Sequence, residues 1–122
     1  MLDTSVLLAY FNEDDSQHER AVKTLEGFDW QDGFVSDYVV DEFLNLAFRL
    51  LKDKKKCRRI FEEMIKGENI LGVSKENFNR ALNTFFQENK LSLTDCTSME
   101  LCKEFGLELV TFDSELERIN NS

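Results

Sequence analysis

The chain opens with Met1-Leu2-Asp3-Thr4-Ser5-Val6-Leu7-Leu8, a short apolar start that ends at an acidic residue and leads into a helical pattern. The two apolar residues before Asp3 favour a buried strand, and Thr4 or Ser5 can cap a helix that runs to about Phe11. The same order of extended segment, capping residue and helix recurs along the chain. It predicts an α/β domain with a mainly parallel sheet.

The helix from Asp37 to about Lys52 has the clearest pattern in the chain. It follows a brief strand, Phe34-Val35, and a plausible cap, Ser36, and its apolar residues keep the three- and four-residue spacing of an amphipathic helix. A lysine-rich helix or turn comes next. Further strands are expected at 70–73 and 107–112. Further helices are expected after the start signal at 14–16 as far as about Glu26, from Ser74, from Ser92 or Thr94 to Gly106, and from Ser114.

The composition is that of one soluble globular domain spanning residues 1–122. Of its 122 residues 42% are hydrophobic and 32% are charged, and no apolar run reaches the ~20 residues of a membrane span. No signal peptide is expected, because Asp3 interrupts the only apolar start. Three cysteines without CxxC spacing indicate reduced, buried thiols in a cytoplasmic protein, not a disulfide framework or a zinc site.

Charge is unevenly distributed along the chain. The formal net charge of −9 argues at first against nucleic acid. Residues 49–59, however, contain 7 of the 15 lysines and arginines. An acidic protein can still present one basic patch, so this stretch is either a patch that meets phosphates or a solvated helix face.

Four carboxylates stand where strands or helices would deliver them into one cleft. Asp3 and Asp113 each end an apolar run, while Glu42 and Asp95 lie beside apolar positions of helical patterns. In parallel sheets, ligands gather beyond the carboxyl ends of the strands. Because burying unpaired carboxylates is costly, a hard cation such as Mg²⁺ or Mn²⁺ is the expected compensation.

Each carboxylate also has a purely structural interpretation. Asp3 and Asp113 could be helix N-caps, and an aspartate in a first turn, as at Asp95, is favourable towards the helix dipole. Asp41 competes with Glu42, and spacing alone does not separate them. Other chemistries lack a context, since the chain has one histidine and neither a GxxxxGK[ST] nor a GxGxxG motif.

Four short motifs together resemble those of the PIN-domain nucleases, most closely the VapC-type toxins of prokaryotic toxin–antitoxin pairs. The motifs are residues 3–7, 36–45, 93–95 and 110–113. The resemblance covers essentially the whole chain and implies a PIN-like three-layer sandwich, a parallel sheet of about five strands flanked by helices. It implies metal-dependent cleavage of RNA that leaves a 5′-phosphate and a 3′-hydroxyl.

The resemblance also assigns roles to individual residues. The catalytic and metal-binding set is Asp3, Glu42, Asp95 and Asp113, with Mg²⁺ or Mn²⁺ as the cofactor. Thr4 and Thr111 are supporting residues, and Glu115 matches a further acidic position of some members. The implied partners are RNA, a small antitoxin protein and a second copy in a homodimer, with no membrane.

Two departures and three rival functions accompany this interpretation. The first strand is only Met1-Leu2, and Leu116 stands where an aromatic residue is common. A phosphatase built on the first aspartate would need a second aspartate where Ser5 stands, while a nuclease of RNA processing or a silent protein-binding module remain alternatives. RNA contacts are expected from the basic segment, defined here as Lys52, Lys54, Lys55, Lys56, Arg58 and Arg59.

Overall fold

A computed structural model describes residues 1–29 and 32–121. Within these ranges two short strands alternate with helices. The strands are β1 (Val35–Ser36) and β2 (Ile70–Leu71), and a 3₁₀ turn (Gly67–Asn69) precedes β2. The helices are α1 (Thr4–Phe11), α2 (His18–Leu25), α3 (Asp37–Leu51), α4 (Lys54–Met64), α5 (Lys75–Gln87), α6 (Leu93–Phe105) and α7 (Ser114–Asn120).

Four extended segments lie side by side and run in parallel. β1 pairs with β2, with Val35 opposite Ile70. The Leu2 amide donates to the Phe34 carbonyl at 2.8 Å, and Leu2 forms an isolated parallel bridge with Val110. The carboxyl ends of the segments around positions 110, 2, 35 and 70 therefore meet at one edge.

The expected sheet of about five strands is not what the described residues form. They contain two strands of two residues each and one isolated bridge, although the α/β order and the parallel direction are confirmed. The physical reason is that the extended segments soon give way to helices. Asp3 and Ser36 already occupy N-cap positions, so little chain remains for ladder hydrogen bonds.

Local capping explains where most helices begin and end. Ser36 Oγ accepts from the Val39 amide at 3.0 Å, Ser74 caps α5 in the same way, and Ser92 forms a capping box with α6. Gly106, with φ of 65°, ends α6 as predicted. The expected capping of α1 by Thr4 or Ser5 is wrong: Asp3 occupies that N-cap, and its carboxylate makes no capping bond.

The core forms around the start of the chain. Leu2 is 1% exposed, and Phe43 of α3 packs edge to face on Phe11 at 6.0 Å between ring centroids. α1 packs against α2 and α3, and α5 packs against α6. All three cysteines are free and buried, as predicted. No helix in the described ranges has the length and apolarity to cross a membrane.

Candidate active site

A cavity of about 290 Å³, called the acidic cavity below, opens at the carboxyl edge of the parallel segments. It brings together all four of the predicted carboxylates, although they come from four separate parts of the chain. Its walls are formed by Asp3, Thr4, Ser5, Leu8, Glu42, Leu46, Ser92, Asp95 and Asp113.

Asp3 is held in the wall through one carboxylate oxygen. It is 4% exposed, and its backbone amide donates to the Val110 carbonyl at 3.0 Å. Its Oδ2 accepts from Ser5 Oγ and from Thr111 Oγ1, both at 2.8 Å. Among the described residues no protein donor bonds the other oxygen, Oδ1.

The two hydroxyls that hold Asp3 are themselves oriented by the backbone. Ser5 Oγ accepts from the Phe112 amide at 3.2 Å, and Thr111 Oγ1 accepts from the Asp113 amide at 3.0 Å. Because each hydroxyl oxygen receives a backbone hydrogen, its own hydrogen is directed at the carboxylate. Thr111 was predicted to be a supporting residue of the site. Ser5 was missed as a site residue, although a hydroxyl two positions after the aspartate was a usable signal.

Asp95 and Asp113 each bind backbone amides at the start of a helix through one carboxylate oxygen. Asp113 Oδ1 accepts from the amides of Glu115 and Leu116 at the start of α7, at 3.0 and 3.2 Å. Asp95 Oδ2 accepts from the Ser92 amide at 3.0 Å in the capping box of α6. The structural interpretations of both residues are therefore correct. These hydrogen bonds occupy one oxygen of each carboxylate and leave the second oxygen without a protein donor in the described ranges.

The ionisation of Asp95 is affected by its burial and by the other carboxylates of the cavity. The pKa of Asp95 is raised from 3.8 to about 6, chiefly by burial; the carboxylates of Asp3 and Asp113 contribute to this rise, and hydrogen bonds with Ser92 oppose it. Like charges that share a low-dielectric site disfavour the ionised form. The cavity is consequently a place where negative charge lacks compensation from the protein.

The donor chemistry of the acidic cavity fits a hard cation. Thr4 Oγ1 is buried without a hydrogen-bond partner, and Thr4 lines the same cavity. Every polar side-chain atom in the wall that could bind a metal is a carboxylate or hydroxyl oxygen, the type of ligand that Mg²⁺ and Mn²⁺ prefer. Within residues 1–29 and 32–121, however, no three acidic, histidine or cysteine side chains are close enough to hold one ion as they stand.

A family model described as the PIN domain matches residues 1–121. The chain belongs to the PIN domain family. The crystal structure of Mycobacterium tuberculosis VapC20, a toxin that cleaves the sarcin–ricin loop, matches with a TM-score of 0.81 at 19% identity. The match covers 97% of this chain and 92% of that chain, and it shows a shared fold. No curated protein matches the sequence significantly.

The resemblance to PIN domains that the sequence motifs indicated is thus confirmed. The structure also separates the acidic alternatives of this PIN domain. Glu42 is half-buried in the acidic cavity, whereas Asp41 is exposed and its Oδ1 accepts from Asn45 Nδ2 at 3.4 Å. Glu115 lies outside the cavity wall, where the hydrogen bond from Arg118 and the charge of Lys90 lower its pKa.

The basic segment of this PIN domain is divided between surfaces, and none of its members lines the acidic cavity. Lys54 lies over the Phe48 ring at 4.3 Å, and Arg58 pairs with Glu62 at 2.9 Å. Lys56 lines a different cavity, beside Phe11 and residues 12–14. The remaining three cations of the segment are exposed.

Proposed function

We propose that this PIN domain is a metal-dependent ribonuclease that hydrolyses RNA phosphodiester bonds in the acidic cavity. One observation carries the proposal. Asp3, Asp95 and Asp113 line one cavity, each with one oxygen bonded to protein donors and the other left without one in the described ranges. Carboxylates that are oriented in this way, and kept together at an electrostatic cost, are suited to binding a cation.

The residues divide into ligands and positioning groups. Asp3, Glu42, Asp95 and Asp113 would hold one or two Mg²⁺ or Mn²⁺ ions, with the orphan hydroxyl of Thr4 as a supporting donor. When bound, the metal lowers the pKa of a water molecule and stabilises negative charge on the phosphate oxygens.

Positioning of the ligands depends on hydroxyls and helix starts. Ser5 and Thr111 hold Asp3 Oδ2 and leave Oδ1 without a protein donor among the described residues. The caps of α6 and α7 orient Asp95 and Asp113 in the same way. Leu8 and Leu46 supply the apolar part of the wall, which reduces the water around the reacting phosphate. The expected products are a 5′-phosphate and a 3′-hydroxyl.

Within this proposal, the protein is the toxin of a prokaryotic toxin–antitoxin pair. The fold shared with VapC20 over 97% of this chain supports it. A toxin of this kind acts in the cytoplasm, has a small antitoxin protein as its partner and forms a homodimer. Expression of the protein alone should arrest growth, and co-expression of a small protein encoded beside it should restore growth. Growth without arrest would favour a role in RNA processing.

Cleavage of a fluorescent RNA, in chelator and after addition of Mg²⁺ or Mn²⁺, tests the chemistry. Changing any one ligand to its amide should lower the rate at least about 100-fold. The variants are Asp3→Asn, Glu42→Gln, Asp95→Asn and Asp113→Asn. The matched control is Glu68→Gln, because Glu68 is exposed and precedes β2 at the opposite edge of the sheet. Full activity of Asp95→Asn, or cleavage by the wild type in chelator, would contradict the proposal.

A further inference from the structure

A second cavity adjoins the acidic cavity along α3 and is called the flanking pocket here. Its volume is about 330 Å³, and it shares the side chains of Glu42 and Leu46 with the acidic cavity. The shared wall means that the two spaces open side by side. The other walls of the flanking pocket are Asp41, Asn45, Arg49 and Thr94.

Arg49 is the cation of this pocket. It lies seven residues after Glu42, two helical turns along the same face of α3, or about 10.5 Å along the axis. Arg49 is exposed and forms no ion pair with any described residue, whereas Arg58, Arg80 and Arg118 all pair with glutamates. Its guanidinium is therefore available to an external anion beside a cavity that repels anions.

The polar side chains between Glu42 and Arg49 complete a subsite. Asn45 lies one turn from each of them, and its only described bond is the long one to Asp41. Thr94 faces them from the first turn of α6. An amide and a hydroxyl next to a free guanidinium can contact the sugar and base while the guanidinium binds the phosphate.

A groove of different chemistry adjoins the flanking pocket at Asn45. Asn45 also lines an apolar groove formed with Leu44, Phe48, Phe61, Lys54 and Arg58. Phe48 is 38% exposed and carries Lys54 over its ring. Apolar and aromatic side chains beside cations can contact the bases and phosphates of single-stranded RNA.

We propose that the flanking pocket is a nucleotide subsite for single-stranded RNA, in which Arg49 binds the phosphate next to the scissile one. The inference rests on the proposed function and deepens it by assigning a residue of this chain, Arg49, to the phosphate next to the scissile one. It differs from an RNA path over the whole basic segment, because Arg49 lies outside that segment and Lys56 lines another cavity. Single-stranded RNA fits the pocket better than a duplex does, because its bases are unpaired and can reach Asn45 and Phe48.

Binding in chelator separates affinity from chemistry. The probe is a short fluorescent single-stranded RNA, and its dissociation constant is measured by anisotropy over a range of salt concentrations. Arg49→Glu should weaken binding about tenfold or more, because a charge-assisted contact is lost. It should also reduce the slope of log affinity against log salt by about 0.7. Arg49→Gln, which keeps the size of the side chain, should show the same loss of slope.

Lys66→Glu is the matched control. It changes the net charge by the same amount, but Lys66 is exposed and precedes β2 at the edge of the sheet opposite the acidic cavity. It should bind RNA like the wild type. In Mg²⁺ or Mn²⁺ the Arg49 variants should raise KM by the binding factor and leave kcat within about twofold, since Arg49 touches a phosphate that does not react.

The outcomes distinguish the subsite from the function itself. If the wild type cuts RNA and Arg49→Glu behaves like Lys66→Glu, the subsite is wrong and the ribonuclease proposal stands. If the wild type neither binds nor cuts RNA, the function fails and the subsite fails with it. Equal binding of a duplex would overturn the single-stranded class. If Arg49→Glu spares RNA binding and weakens binding of an antitoxin, the pocket is a protein-docking surface and the inference is wrong.

Discussion

Asp95→Asn should stabilise the metal-free protein at neutral pH although it removes a catalytic ligand. Burial and the neighbouring Asp3 and Asp113 raise the pKa of Asp95 to about 6, so ionising this carboxylate is costly in the folded state. The amide removes the charge and keeps an acceptor oxygen for the Ser92 amide, which preserves the capping box of α6.

The size of the effect follows from the difference in pKa between the folded and unfolded states. A rise from 3.8 to about 6 corresponds to an upper limit of about 3 kcal/mol. Because the side chain is partly exposed, solvent screening reduces this value, and we expect roughly 1–2 kcal/mol.

The dependence on pH has a definite sign. Below about pH 4 the carboxyl group is protonated in both states, so it contributes no difference in stability. Between about pH 4 and 6 the unfolded chain ionises first, so the wild type loses stability relative to the variant. Above about pH 6 both states are ionised and the difference stays constant.

Urea unfolding in chelator, followed by circular dichroism across this pH range, measures the difference. Glu68→Gln, which changes an exposed carboxylate, should show no such pH dependence relative to the wild type. Saturating Mn²⁺ should reverse the order, because only the wild type retains the full set of ligands. A wild type that is more stable than Asp95→Asn in chelator at every pH would refute the reasoning.

Three further predictions concern positioning, metal and the basic segment. Thr111→Val, or Ser5→Ala, should lower the cleavage rate about 10- to 100-fold by freeing the Asp3 carboxylate, and should lower the free energy of unfolding by about 1 kcal/mol. Activity assays and urea unfolding measure the two effects, and an unchanged cleavage rate would contradict the positioning role. Mn²⁺ at 100 times its dissociation constant should add ~2.7 kcal/mol to the stability of the wild type, and a melting temperature indifferent to the ion would count against a metal site. The double change Lys55→Glu and Lys56→Glu should raise KM less than the Arg49→Glu change does, because neither lysine lines the flanking pocket, and a larger rise would place the RNA path on α4.

Most helices could be predicted because their ends are decided within one turn of chain. Ser36 and the apolar spacing predicted a helix from Asp37 to about Lys52, and α3 spans Asp37–Leu51. Gly106 ended α6 for the same local reason, its positive φ. The number of strands could not be predicted from local sequence, because a strand needs a hydrogen-bonded partner from elsewhere in the chain. In the structure, the extended segments become helical after a few residues.

The four carboxylates could be named from the sequence because their types and their places at strand ends or helix edges are local features. Whether position 41 or 42 enters the acidic cavity stayed open, since the two differ only in the rotation of α3 against α1 and α6. Ser5 was missed for a related reason. Its hydroxyl gains a role only when Phe112, 107 residues later, supplies the backbone donor that orients it.

The sequence by itself determined the alternation of elements, the helix ends and the residue types that make an acidic site plausible, because these depend on neighbours one turn apart. Only the tertiary structure decided that Asp3 is shared by two hydroxyls, one of them on Thr111, 108 residues away. It also decided the raised pKa of Asp95, the division of the basic segment and the place of Arg49 beside the cavity. These properties are set by burial and by distances between segments far apart in the chain, which only packing brings together.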